Sequence, residues 1–191
     1  MIAIVPLPGA MGSMYAHLFE NTRTGLARNL YWSVTVPCTT VDDAGDTWQT
    51  SVTCEWLTWP MTDWTGLDGA SAATLQQPAQ AECSFYMAAH HPVSLAELTL
   101  RAIPATTRFM VHVRGTADVD GVEGVERPCA FSFGCEVAFE GLIVVPDNLQ
   151  PPPSTATEAA AVLAPFIGLA HLDAPHRDRF RYVFAPRVPP P

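Results

Sequence analysis

Apolar and polar residues alternate with a period of two along at least six segments of this chain, and that pattern restricts it more than any other feature. Successive side chains of a strand point to opposite faces, so each alternating run predicts a half-buried β-strand. Trp32, Val34 and Val36 alternate with Tyr31, Ser33 and Thr35, and Trp48, Val52, Cys54 and Trp56 alternate with Gln49, Ser51, Thr53 and Glu55. The turn-like Asp42-Asp43-Ala44-Gly45-Asp46 between them predicts a hairpin, with Trp48 and Trp56 in phase with the core. Leu98 and Leu100, then Phe109, Val111 and Val113, mark two further strands divided near Pro104. The cleanest run is Phe131, Phe133, Cys135, Val137 and Phe139 against Ser132, Gly134 and Glu136; Gly141 then breaks the pattern before Leu142–Val145. Phe180, Tyr182 and Phe184 fit an edge strand with one common face.

Helical signals are sparse. Thr155 with Glu158 three residues later fits a capping box opening Ala159–Leu163, and a short helix is expected around Met14–Glu20. Strands adjoin strands without a βαβ rhythm. The expectation is a mainly β fold, with α+β as its variant: an antiparallel β-sandwich or curved sheet carrying one or two short helices, one near the C-terminus. Its 191 residues fit one domain, with a Pro-rich connection at 146–153 and a Pro-rich tail at 186–191. Gly9-Ala10-Met11-Gly12-Ser13 reads like the scar of a cleaved expression tag, which would make residues 1–13 partly foreign.

Charge narrows the function classes. Nineteen acids stand against ten bases, all arginine, for a formal charge of -9, which disfavours a phosphate-binding surface and hence a nucleic-acid partner. The missing lysine matches the Arg-codon preference of a GC-rich genome. No apolar run reaches the roughly 18 residues of a membrane-spanning helix, and the N-terminus carries no positive region before Pro6 and Pro8. No membrane partner is expected, and a soluble, cytoplasmic, bacterial protein is.

Five cysteines, Cys38, Cys54, Cys83, Cys129 and Cys135, lack a C-x-x-C pair. Cys38, Cys54 and Cys135 fall in phase with core residues and read as small hydrophobes, which favours a reducing compartment. A Cys38–Cys54 bridge across the first hairpin would overturn that. His90-His91 before Pro92 reads as a loop, no histidine pair has the i, i+4 spacing of H-E-x-x-H, and His171 and His176 around Asp173 and Pro175 offer at most a weak metal cluster. Asp118-Val119-Asp120-Gly121-Val122-Glu123 places acids at alternate positions as a calcium loop does, but without the closing Glu and flanking helices. No metal and no cofactor are expected. A Gly-rich phosphate loop and a G-x-S-x-G elbow are both missing.

Two sets of candidate residues follow. Acidic loops with aromatic anchors (Asp42, Asp43 and Asp46; Trp59, Asp63 and Trp64; Asp118, Asp120 and Glu123) fit a partner surface, because loop aromatics bury large area at small entropic cost. On the opposite strand face, Arg101, His112, Arg114 and Glu136, with Glu97, fit an anion or proton-transfer site if register brings them together. The reading ranked first is a non-catalytic acidic domain of toxin-neutralising (immunity) or inhibitor type that binds a basic protein. Its alternatives are an enzyme or small-ligand binder using His112, Arg114 and Glu136, and a structural or adaptor subunit of a secretion or phage assembly.

Overall fold

A computed structural model of the chain describes residues 3–43, 45–72, 81–119 and 128–188, the Asp43 side chain excepted. The alternating runs become strands: β1 (Gly12–Asn21), β2 (Leu26–Asp43), β3 (Asp46–Leu57), β4 (Ser71–Ala72), β5 (Glu82–Met87), β6 (Ala89–Ala102), β7 (Arg108–Ala117), β8 (Cys129–Val144), β9 (His176–Asp178) and β10 (Arg181–Phe184). One α-helix, α1 (Ala156–Leu163), lies near the C-terminus. Thr155 caps it by accepting from the Glu158 N–H, and the Glu158 carboxylate reaches back to the backbone and hydroxyl of Ser154.

Hydrogen bonding runs β1-β2-β3-β5-β6-β7-β8 in antiparallel steps and returns to β1. An antiparallel run of seven strands has its first and last members pointing the same way, so closure must be a parallel pair. That pair is β1 with β8, from Gly12↔Val137 to Leu18↔Val144. The mainly β expectation therefore holds, but the sheet closes into a seven-stranded barrel with extra strands rather than forming a sandwich. Short β4 extends beside β6, while β10 pairs with Leu142–Val144 at the C-terminal end of β8 and β9 pairs with β10.

The closure depends on Gly141. It sits at φ 116°, where the β8 register on β1 slips by one residue, and a Cβ there would run into the Phe184 carbonyl of β10. The break expected at Gly141 is thus a bulge inside one strand, which turns Leu142 and Val144 back to the core.

A barrel of this size has an interior that side chains alone can fill. Trp32, Trp64, Phe85, Phe109, Phe139, Met14 and the inward leucines and valines occupy it. Residues 59–72 fold over one end, burying Trp59 and Trp64, whose indole N–H groups donate to the Ser71 and His171 carbonyls. Trp32 packs on Trp59 and Phe139, and Trp64 on Phe139 and Phe109, with ring centroids 5.3–6.4 Å apart.

Several local expectations are corrected. Met14–Glu20 is strand β1, not a helix: aromatic residues on its outer face hide the alternation of Met14, Ala16 and Leu18. His90 and His91 belong to strand β6, reached through a tight turn at Ala88. Phe180 lies in the β9–β10 turn, exposed, while Tyr182 and Phe184 are buried. Ile4 is buried, and the segment before Gly12 bonds to β2 through Leu7 N–H to the Pro37 carbonyl and Thr39 N–H to the Val5 carbonyl. Cys54 and Cys83 face each other across β3 and β5 and form a disulfide, so Cys54 is a core residue as its phase implied but half of a bridge rather than a free thiol, which removes one support for the reducing-compartment reading. Cys38 stands opposite Thr50, which excludes a Cys38–Cys54 bridge. Among the described residues no helix is long and apolar enough to cross a membrane.

Candidate functional site

Strand direction sorts the predicted loops. β2 and β7 run the same way around the barrel, so the Asp42–Asp46 tip and Asp118 lie at one end, whereas Asp63 follows β3 and lies at the other. Asp42 accepts from the Thr47 hydroxyl at 2.6 Å, and Asp46 is exposed. Asp118 is exposed; Asp120, Glu123 and the Asp43 side chain fall outside the described residues. Asp63 caps the turn Trp64–Leu67 by accepting from the Thr65 N–H, and it also meets His171 Nδ1 at 3.0 Å. Trp59 and Trp64 are core residues rather than surface anchors: the loop folds back onto the domain's own core, and each buried indole N–H is satisfied by a backbone carbonyl.

The polar face of β6–β8 separates into cross-strand pairs. Arg114 reaches Glu97 at 3.3 Å, whereas Glu136 is taken by Arg108 at 2.8 Å. His112 meets the Ser132 hydroxyl at 3.4 Å, and Arg101 stands opposite Met110 near Gly69. Such exposed pairs contribute about 0–1 kcal/mol each. The expected constellation of Arg101, His112, Arg114 and Glu136 does not converge: register gives Glu136 to Met110's row and to Arg108.

A different surface does converge, on the outside of β1–β3. With Met14, Ala16 and Leu18 pointing inward, Tyr15, His17 and Phe19 point out, and His17 stands opposite Tyr31 of β2. On β3 the register steps three residues from Cys54 to Leu57 while β2 steps two from Val34 to Trp32. This bulge places Leu57 inside and Trp56 outside, correcting the core phase expected for Trp56.

Trp56 has φ 59°, the left-handed region where a bulky L-residue is strained by about 1–2 kcal/mol. Its indole stands edge-to-face against His17, Phe19 and Tyr31, with centroids 5.2, 5.2 and 5.3 Å away. Beneath it Tyr31 and Ser33 are 3% and 1% exposed although they belong to the barrel's outer face. His17 Nδ1 and Ser33 Oγ are buried and have no hydrogen-bond partner among the described residues. Burial also lowers the His17 pKa from its ordinary value, which keeps the ring neutral at pH 7.

Beside this cluster a recess of about 410 Å³ opens, walled by Tyr15, His17, Trp56, Ile143, Val145 and the exposed Phe180. Its rim carries Glu55, Glu140 and Arg181. Arg181 is already forked onto Asp178 at 2.9 and 3.1 Å. Glu55 and Glu140 have no ion pair among the described residues, and Glu55 stands directly opposite Glu82, a like-charge pairing that costs stability. A second recess, of about 500 Å³, lies between residues 6–11 and Gly134–Glu136, but its charges, Arg108 and Glu136, neutralise each other.

The sequence held one signal for the aromatic face: Tyr15, His17 and Phe19 recur at every second position. Comparison with family models, curated proteins and solved structures finds no match.

Proposed function

We propose that the chain is a non-catalytic binding protein, of toxin-neutralising or inhibitor type, that recognises a basic protein through the outer aromatic face at Trp56. The carrying observation is the pair of unmatched carboxylates, Glu55 and Glu140, on the rim of an aromatic recess. The barrel interior is occupied by its own side chains, which directs recognition to the outside. With Arg181 paired to Asp178, the rim's unmatched charges are both negative, which beside aromatic surface favours a basic partner, and the net charge of -9 would steer it, raising association rates by about 10–10³. The Asp42–Asp46 tip lies at the other end of the barrel and serves steering rather than contact.

The test is a titration of the ¹⁵N-labelled chain with two basic peptides, (Arg-Gly)₅ and (Lys-Gly)₅, at low salt. Saturable shifts at Tyr15, His17, Trp56 and Glu140 that disappear at high salt support the reading. Shifts confined to the Asp42–Asp46 tip, or none, overturn it.

A further inference from the structure

The side chain that fits the Trp56 recess can be specified more closely, on the basis that the partner is basic. We propose that the recess takes an arginine side chain of the partner, its guanidinium lying along the Trp56 indole and donating to Glu55 and Glu140.

Two observations favour a guanidinium over an ammonium. The walls are flat and apolar: Trp56 is half-buried, and Tyr15, Phe180, Ile143 and Val145 complete the recess. A planar, weakly hydrated guanidinium stacks on such rings, whereas a compact ammonium holds its water more strongly. Among the described residues the charged groups of the recess without an ion pair are carboxylates on two separate strands, Glu55 on β3 and Glu140 on β8. A fork of five N–H donors with no acceptor can serve both at once. The remaining charged side chain of the recess, Arg181, is held by Asp178 and leaves the place open. His17, kept neutral by burial among Tyr15, Tyr31, Phe19 and Trp56, adds no opposing charge.

The experiment titrates the full chain with acetyl-Gly-Arg-Gly-amide, its lysine counterpart and its citrulline counterpart, following the Trp56 indole N–H by NMR. The arginine peptide is expected to bind at least about tenfold more tightly than either. Glu55→Gln and Glu140→Gln are each expected to weaken it about three- to tenfold, with unfolding midpoints no lower than the parent's showing that the fold persists. Trp56→Phe, which keeps an aromatic wall, is expected to lower the affinity less than Trp56→Gly. Equal binding of arginine and lysine peptides overturns the arginine assignment while leaving the basic-partner reading intact. Equal binding of the citrulline peptide overturns it too, since citrulline keeps the plane and loses the charge. Absence of recess shifts with every peptide overturns both.

Discussion

Replacing Trp56 by glycine and by alanine separates the strain at this residue from the packing of its ring. At an ordinary strand position glycine is about 0.5–1 kcal/mol less stable than alanine, because the unfolded chain has more freedom to lose. Trp56 sits at φ 59°, where the order inverts: alanine retains the Cβ clash of about 1–2 kcal/mol and glycine does not. Both variants lose the half-buried indole and its three edge contacts at 5.2–5.3 Å. Full truncation of a buried Trp costs about 3–5 kcal/mol, so roughly half of that, about 2 kcal/mol, applies here. Trp56→Gly is then expected to cost about 1–2 kcal/mol net and Trp56→Ala about 1 kcal/mol more. Urea unfolding of the three proteins, compared at a common slope, reads the difference directly. An alanine variant as stable as the glycine variant, or more stable, would refute the left-handed bulge and the outward placement of Trp56 that depends on it.

Gly141→Ala is expected to destabilise the protein by about 3 kcal/mol, from a Cβ at φ 116° pressed against the Phe184 carbonyl; a change within 0.5 kcal/mol in chemical denaturation contradicts the bulge. The unreduced, denatured chain is expected to titrate three thiols rather than five, because Cys54 and Cys83 are paired. In the native state Cys38 should resist alkylation at pH 8, burial having pushed its thiol up to about 11. Because the His17 pKa is lower folded than unfolded, the unfolded chain binds the proton first, and stability falls as pH drops below about 6.5 towards the folded value. His17→Phe should flatten that stretch of the stability-against-pH curve, and an unchanged slope would show that His17 is not buried as described.

The strands were legible because β3 and β6–β8 carry one apolar face each, and Phe131–Phe139 sits in the core as its alternation implied. The barrel was not. Whether β1 and β8 are edges or neighbours depends on pairing between residues 12 and 144, and nothing local to either strand encodes it. β1 itself was misread because both its faces are apolar, which removes the contrast that period-two reading relies on. Trp56 was placed in the core since a single extra residue in β3 inverts the phase beyond it. Acidic loops were visible, but their separation onto opposite ends follows from strand direction, and the unmatched Glu55 and Glu140 line one recess only because closure of the barrel brings β8 to the same side as β3. Trp59 and Trp64 show the same limit in reverse: loop aromatics in sequence, core residues once the end of the barrel is covered.

Every assignment of inside and outside, and so the placing of recognition on the outer face, rests on closure of the barrel by a parallel β1–β8 pair. Backbone NOE spectroscopy tests that seam directly. Closure predicts interstrand contacts from Gly12 to Val137 and onward to Leu18 with Val144, in parallel pattern and with the one-residue slip between Met14 and Tyr15. Antiparallel contacts from β1 to β2 without any to β8 would leave both strands as free edges, and would contradict it.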